Sequence, residues 1–223
     1  MKIVVRKLIA KEIYVNRRFI IGASVAGVLS TLIAGYGGKA GFSIGSLTWL
    51  TSTIAFGVML AIYGVANERK EQALLFVLSL PLSISDYVRA KQIGQVLSFG
   101  IPWLVSSLAA LILVRFHPDV PDGLLPYTLL LCVFMLANFL VLLCAALHAT
   151  SEALTTTAII ITNMGVSVFM FTVGAMPAIR NDMFGPVAVW NDTIWTVLAV
   201  ETLVIVISLI LPSLFAARRR DFI

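Results

Sequence analysis

The stretch ERKEQALLFVLSLPLSISDYVRAKQIG, residues 68–94, opens on four consecutive charges and closes past Arg89 and Lys91, yet Leu74 to Leu80 is nearly as apolar as a membrane span. Whether it enters a bilayer or lies beneath one decides the fold, because it separates the second long apolar run from the third. Two further spans do not fit, since each needs about 20 residues to cross about 30 Å of hydrocarbon. Asp86 and the serines 79, 83 and 85 also make Leu82–Val88 poor bilayer material. A re-entrant dip, an interfacial helix and a helical hairpin under the membrane remain. Pro81 divides the stretch: Glu71–Leu80 reads as one helix and Ser83–Lys91 as another. Ser83 or Ser85 caps the second, with Asp86 in its first turn complementing the dipole.

Around this stretch the chain is overwhelmingly apolar. Of 223 residues 60% are hydrophobic and 12% charged, with a mean hydropathy of +1.00. A soluble domain of this size has too much surface to hide that composition. The expectation is an all-α integral membrane protein with six transmembrane helices, at Phe19–Tyr36, Ser46–Ala66, Ile93–Val114, Tyr127–Leu147, Leu154–Ala175 and Ile194–Phe215. The first run follows a charged leader of 18 residues and lacks an A-x-A cleavage site, so it reads as an uncleaved span.

Basic residues set the orientation. With both termini inside, the cytoplasmic face carries Lys2, Arg6, Lys7, Lys11, Arg17, Arg18, Arg69, Lys70, Arg89, Lys91 and the arginines 218–220, 13 in all, against 3 outside at Lys39, Arg115 and Arg180. That asymmetry follows the positive-inside rule, so the net charge of +5 is mostly a topology signal. A nucleic-acid role is a poor fit, because no soluble domain carries a binding patch.

Between spans two and three, the pattern E-R-K-E-x-x-L-x-x-x-L-S-L-P-L-S-x-x-x-Y-V-x-A-K resembles the cytoplasmic segment of type-two ATP-binding-cassette (ABC-2) permeases. The residues that carry the resemblance are Glu68, Arg69 and Glu71, then Leu80, Pro81, Leu82 and Ser83, then Tyr87 and Lys91, with Asp86 and Arg89 in the same implied coupling segment. Span number, inside termini and a basic N-terminal helix agree with it along the whole chain. The resemblance implies that residues 67–92 form a coupling hairpin docking on a separate ABC ATPase subunit, which would hold ATP and Mg. Leu80 to Tyr87 would dock, and Glu68 and Glu71 would hold Arg89, Lys91 or the N-terminal helix in register. It also implies that residues 1–18 are an amphipathic connecting helix lying along the cytoplasmic membrane surface, ahead of spans at 19–66 and 93–215 and a basic tail at 216–223. At helical spacing Val5, Leu8, Ile9 and Ile13 share one side of that helix and Arg6, Lys7 and Lys11 the other, with Glu12 intruding on the apolar side. A merely solvated loop and a merely topogenic basic leader are the plainer readings of these two segments.

A few polar groups fall inside the spans. Asn138 and Asn163 have similar depth in spans four and five, where a mutual hydrogen bond would serve packing or a substrate contact. Glu201 sits seven residues into span six, about 10 Å deep, where an unpaired carboxylate costs several kcal/mol and marks either a pathway or a helix–helix bond. Trp103 near the middle of span three reads as packing first and pathway second. His148 and Glu152 are expected to pair across the tight turn between spans four and five. Cys132 and Cys144 are about 18 Å apart along one helix, too far to bridge. The outer segment Met176–Thr193 is too short to span; in the resembling family this link often holds short helices.

Much chemistry is excluded. Gly38-Lys39-Ala40 has neither the spacing nor the hydroxyl of a phosphate loop. Two histidines and two cysteines make no metal-ligand spacing, and no nucleophile–base pair stands out. The chain therefore reads as a non-enzymatic permease subunit of an exporter in a prokaryotic plasma membrane, without a bound cofactor or metal. It would pair with a second permease subunit and move a peptide, drug or lipid of hydrophobic or amphipathic character. The rivals are an ion-coupled secondary carrier, which calls for broken helices and midplane charges, and a non-transporting scaffold or immunity factor.

Overall fold

A computed structural model describes residues 3–67 and 83–218, and the described residues form helices with no strand among them. The elements are α1 (Ile3–Tyr36), α2 (Gly38–Ala61) continued by a π-helical turn at Ile62–Ala66, α3 (Ile84–Phe116), α4 (Leu124–His148), α5 (Glu152–Ala175), the short α6 (Pro177–Arg180) and α7 (Asp192–Arg218). Six of them are long and apolar enough to cross a membrane. The first part of the segment expected to form a coupling hairpin, with Glu68, Glu71, Leu80, Pro81 and Leu82, lies outside the described residues.

Three boundaries differ from the sequence expectation. The N-terminal arm and the first span are one helix of 34 residues, about 50 Å long. Nothing in the sequence interrupts it: there is no proline before Pro81 and no glycine before Gly22. The second helix begins at Gly38, eight residues before the expected span. Gly37 alone separates it from α1, and Gly38 takes φ +61, the left-handed region that only glycine enters without strain. Seven residues on, a Cβ at Gly45 would meet the backbone of Ser30 and Ala34, so the glycines of this turn let α1 and α2 approach closely. Finally, Ser83–Lys91 is not a separate helix, because α3 runs from Ile84 straight into span three. Its start is as read: Ser83 is the N-cap, accepting from the Asp86 amide at 3.1 Å, with Asp86 in the first turn.

Elsewhere local chemistry ends the helices where expected. Pro118 follows the extended His117 that closes α3. Ser151 caps α5 through the Leu154 amide at 3.3 Å, and Asn191 does the same for α7 through the Ile194 amide at 3.1 Å. His148 does not close the α4–α5 turn on Glu152. Its Nδ1–H donates to the Cys144 carbonyl at 2.7 Å and its ring sets an edge on Phe215, so the side chain points back over its own helix.

The core sits around α4, the most deeply enclosed of the six. Phe56, Phe99 and Phe139 stack across α2, α3 and α4, with centroids 6.2 and 3.9 Å apart. Phe134 and Phe169 join α4 to α5 at 3.9 Å. Helix α1 packs chiefly on α3 and α2, and α4 chiefly on α7.

Candidate functional site

The polar side chains of the N-terminal arm and of the start of α3 meet in one place. On α1, Val5, Ile9, Glu12, Asn16 and Ile20 recur every three or four residues and are all buried, which makes one continuous stripe on a helix. On α3, Lys91, Gln92, Gln95 and Ser98 form the facing stripe and are buried as well. Glu12 takes hydrogen bonds at both oxygens: Lys91 Nζ lies 2.9 Å from Oε1 and Gln95 Nε2 lies 2.8 Å from Oε2. The Lys91 side chain is 2% exposed and that of Glu12 11%. A charge taken out of water this far persists only when paired and hydrogen-bonded, and both conditions hold here.

Two glycines make the approach possible. A Cβ at Gly94 would fall 2.7 Å from Glu12 Cβ, so α1 and α3 could not close around the pair with any larger residue. A Cβ at Gly64, in the π-helical turn, would collide with the Gln95 amide. The fourth strut comes from α7, where the Leu209 carbonyl accepts from Gln92 Nε2 at 2.8 Å. The junction therefore joins α1, the end of α2, the start of α3 and α7. The π-helical turn ends one residue before residues 68–82 and α3 begins just after them, so the helices on either side of that segment meet at this polar knot.

Several expected residues fall here and others do not. Lys91 is internal, held by Glu12, while Arg89 is exposed and Asp86 and Tyr87 are half-buried on the first turn of α3. The apolar stripe expected to face a membrane surface is covered in part by α3, with Val5 and Ile9 against Ala90. Gln92, Gln95, Asn16, Gly64 and Gly94 were not singled out from sequence. The signal was there in Lys91-Gln92-x-x-Gln95-x-x-Ser98, polar at helical spacing on an otherwise apolar helix.

The polar groups in the spans form a second, separate set. Asn138 and Asn163 line one space of about 10 Å³ with Thr53, Gly57 and Met135, room for about one water. They do not bond each other, and Asn163 Oδ1 is sealed without a partner. Equal depth sets the height of a residue, not the direction its side chain takes. Trp103 is committed to structure, its indole donating to the Cys132 carbonyl at 2.8 Å. Glu201 is 4% exposed and both its oxygens lack a partner. It and Ser107 both lie near the Cys132 thiol, so polar side chains from α3, α4 and α7 gather there. Among the described residues no cluster could hold a metal ion.

Six helices long and apolar enough to cross a membrane, with a buried polar junction at one end, fit the resemblance to ABC-2 permeases, and comparison with family models decides it: the model described as ABC-2 family transporter protein matches residues 7–219. The chain belongs to the ABC-2 transporter family. Comparisons with curated proteins and with solved structures gave no match. The ABC-2 match spans Glu12, Lys91 and Gln95 of the junction, residues 68–82 and nearly all of the six long helices. The chain is thus a multi-pass membrane permease component of ABC-type transport, a class that works with an ABC ATPase and is typically not itself the enzyme.

Proposed function

We propose that this chain is the transmembrane subunit of an ATP-driven exporter of a hydrophobic or amphipathic substrate. It pairs with a second permease subunit, identical or related, and with two separate ATPase subunits that hold ATP and Mg. Its termini and hairpin lie in the cytoplasm of a prokaryotic cell. Closure of the ATPases moves the hairpin, and the hairpin moves the spans between inward- and outward-facing arrangements. The observation that carries this reading is the Glu12–Lys91–Gln95 junction. A push delivered at residues 68–87 reaches α3 directly and, through Glu12, moves α1 with it; through Gln92 it reaches α7. The low charge of the spans favours an apolar cargo, and Glu201 is the group in the pathway suited to a cationic or hydrogen-bonding part of it.

The test is affinity purification of the tagged chain from its own membrane, alongside a Leu80→Asp/Tyr87→Asp variant shown to insert normally. An ABC ATPase that co-purifies with the wild type and is lost from the variant supports docking through the hairpin. Absence of an ATPase, or equal recovery with the variant, overturns it and favours a carrier or scaffold.

A further inference from the structure

The face of α1 that turns away from the junction is a single stripe running the length of the helix. Lys7, Lys11, Tyr14, Arg18, Ile21 and Val25 recur every three or four residues and are all exposed, opposite the buried stripe that carries Glu12. The stripe changes character at one point. Residues 19–38 carry no charge, about the length that crosses the hydrocarbon of a bilayer, so Arg17 and Arg18 stand at its edge. The headgroup layer is about 6 Å deep on each side, and Tyr14 lies about 6 Å from Arg18 along the helix. The three residues therefore occupy that layer on an open side of the bundle. Among the described residues neither arginine makes an ion pair. Arg17 instead lies over the Tyr14 ring, 4.2 Å from its centroid, which holds the planar guanidinium in place while its N–H groups stay unspent.

We infer that Tyr14, Arg17 and Arg18 bind the phosphate of an anionic membrane phospholipid, whose acyl chains lie along the exposed Ile21 and Val25. Charge and depth select this occupant. A second copy of the chain, inserted the same way up and meeting this stripe about a two-fold axis, would set identical cations against one another at equal depth. A subunit beneath the membrane would meet Arg6 and Lys7 first, about 16 Å further along the helix than Arg17 and Arg18. A lipid headgroup lies at the depth of the arginines, carries the opposite charge, and leaves its chains against the apolar part of the same stripe. The site goes beyond the exporter reading and stands whether or not an ATPase joins the chain.

The experiment is native mass spectrometry of the purified full-length chain in detergent, titrated with phosphatidylglycerol and with phosphatidylcholine of the same acyl chains. Phosphatidylglycerol is expected to bind more tightly. Its affinity is expected to fall about fivefold in Arg18→Gln and about 25-fold in Arg17→Gln/Arg18→Gln, with phosphatidylcholine unchanged. Tyr14→Leu, which removes the stack, is expected to weaken phosphatidylglycerol about threefold, whereas Tyr14→Phe, which keeps it, binds as wild type does. Lys39→Gln/Arg180→Gln removes two exposed cations at the other end of the bundle and is expected to change nothing. Equal affinity for the two lipids, or an equal loss in Lys39→Gln/Arg180→Gln, overturns the site. Displacement of phosphatidylglycerol by millimolar inorganic phosphate would make this a site for a soluble anion and overturns the lipid. An arginine variant that keeps its phosphatidylglycerol affinity but loses a co-purifying ATPase would assign the face to that protein, and overturns the proposal as well.

Discussion

Glu12 and Glu201 are both buried, at 9% and 4% exposure, and they are opposites. Glu12 has a lysine on one oxygen and an amide on the other, contributed by a facing helix two spans away in sequence. Glu201 has no partner on either oxygen, although Cys132 stands close by. The first arrangement spends its charge on holding elements together. The second leaves its binding capacity open, which is what a group kept for a substrate or a changing conformation requires. Burial of a carboxylate therefore says little by itself; the state of its partners is what distinguishes these two.

The comparison breaks most easily at Lys91. Lys91→Met leaves Glu12 buried without its counterion and is expected to cost about 3–5 kcal/mol, read from denaturant unfolding in detergent. Replacing both partners, as Glu12→Leu with Lys91→Met, is expected to recover part of that loss, because an apolar pair of similar volume is often as stable as a buried ion pair, while Gln95 is left without its acceptor. A double variant as unstable as the single one would mean that the charges are not what joins α1 to α3. Next in size, Gln95→Leu removes a hydrogen bond to a charged group and is expected to cost about 1.5–3 kcal/mol in the same assay.

Smaller effects sharpen the picture. Ser83→Ala removes the cap of α3 and should cost about 1 kcal/mol, seen as faster amide exchange over residues 84–88 with the rest of α3 unchanged. At Glu201 the sign reverses. Glu201→Leu removes an unpartnered polar group and is expected to leave the unfolding midpoint unchanged or raised, while substrate-stimulated ATP hydrolysis falls. A Glu201 variant as destabilised as Lys91→Met would show that Glu201 is structural after all, and the contrast would be lost.

What could be read from the sequence divides along physical lines. The six spans were legible because crossing hydrocarbon imposes a length and a composition on each segment alone. The start of α3 was legible because a cap is a local event over four residues, Ser83 to Asp86. Glu12 was visible as a flaw in an apolar stripe, but its partner lies 79 residues away, and no local rule joins α1 to α3. The same limit produced the errors. His148 and Glu152 are four apart, yet a chain turn separates them and His148 folds back on Cys144. Asn138 and Asn163 reach the same cavity without bonding, because depth is encoded along the helix and facing is decided by the packing of all its neighbours. The glycines at 37, 38, 41 and 45 read as a loop, whereas they serve a one-residue turn and a close helix pair.

The most direct test of the junction as the link between hairpin and spans uses the double variant Glu12→Leu/Lys91→Met, reconstituted with its ATPase partner and compared with wild type in substrate-stimulated ATP hydrolysis. The variant is expected to fold and to bind the ATPase as wild type does, yet to lose most of the stimulation, because the polar tie between α1 and α3 is gone while the docking surface remains. Full stimulation in a variant that folds and binds normally would contradict the account, and would place the transmission of movement elsewhere in the bundle.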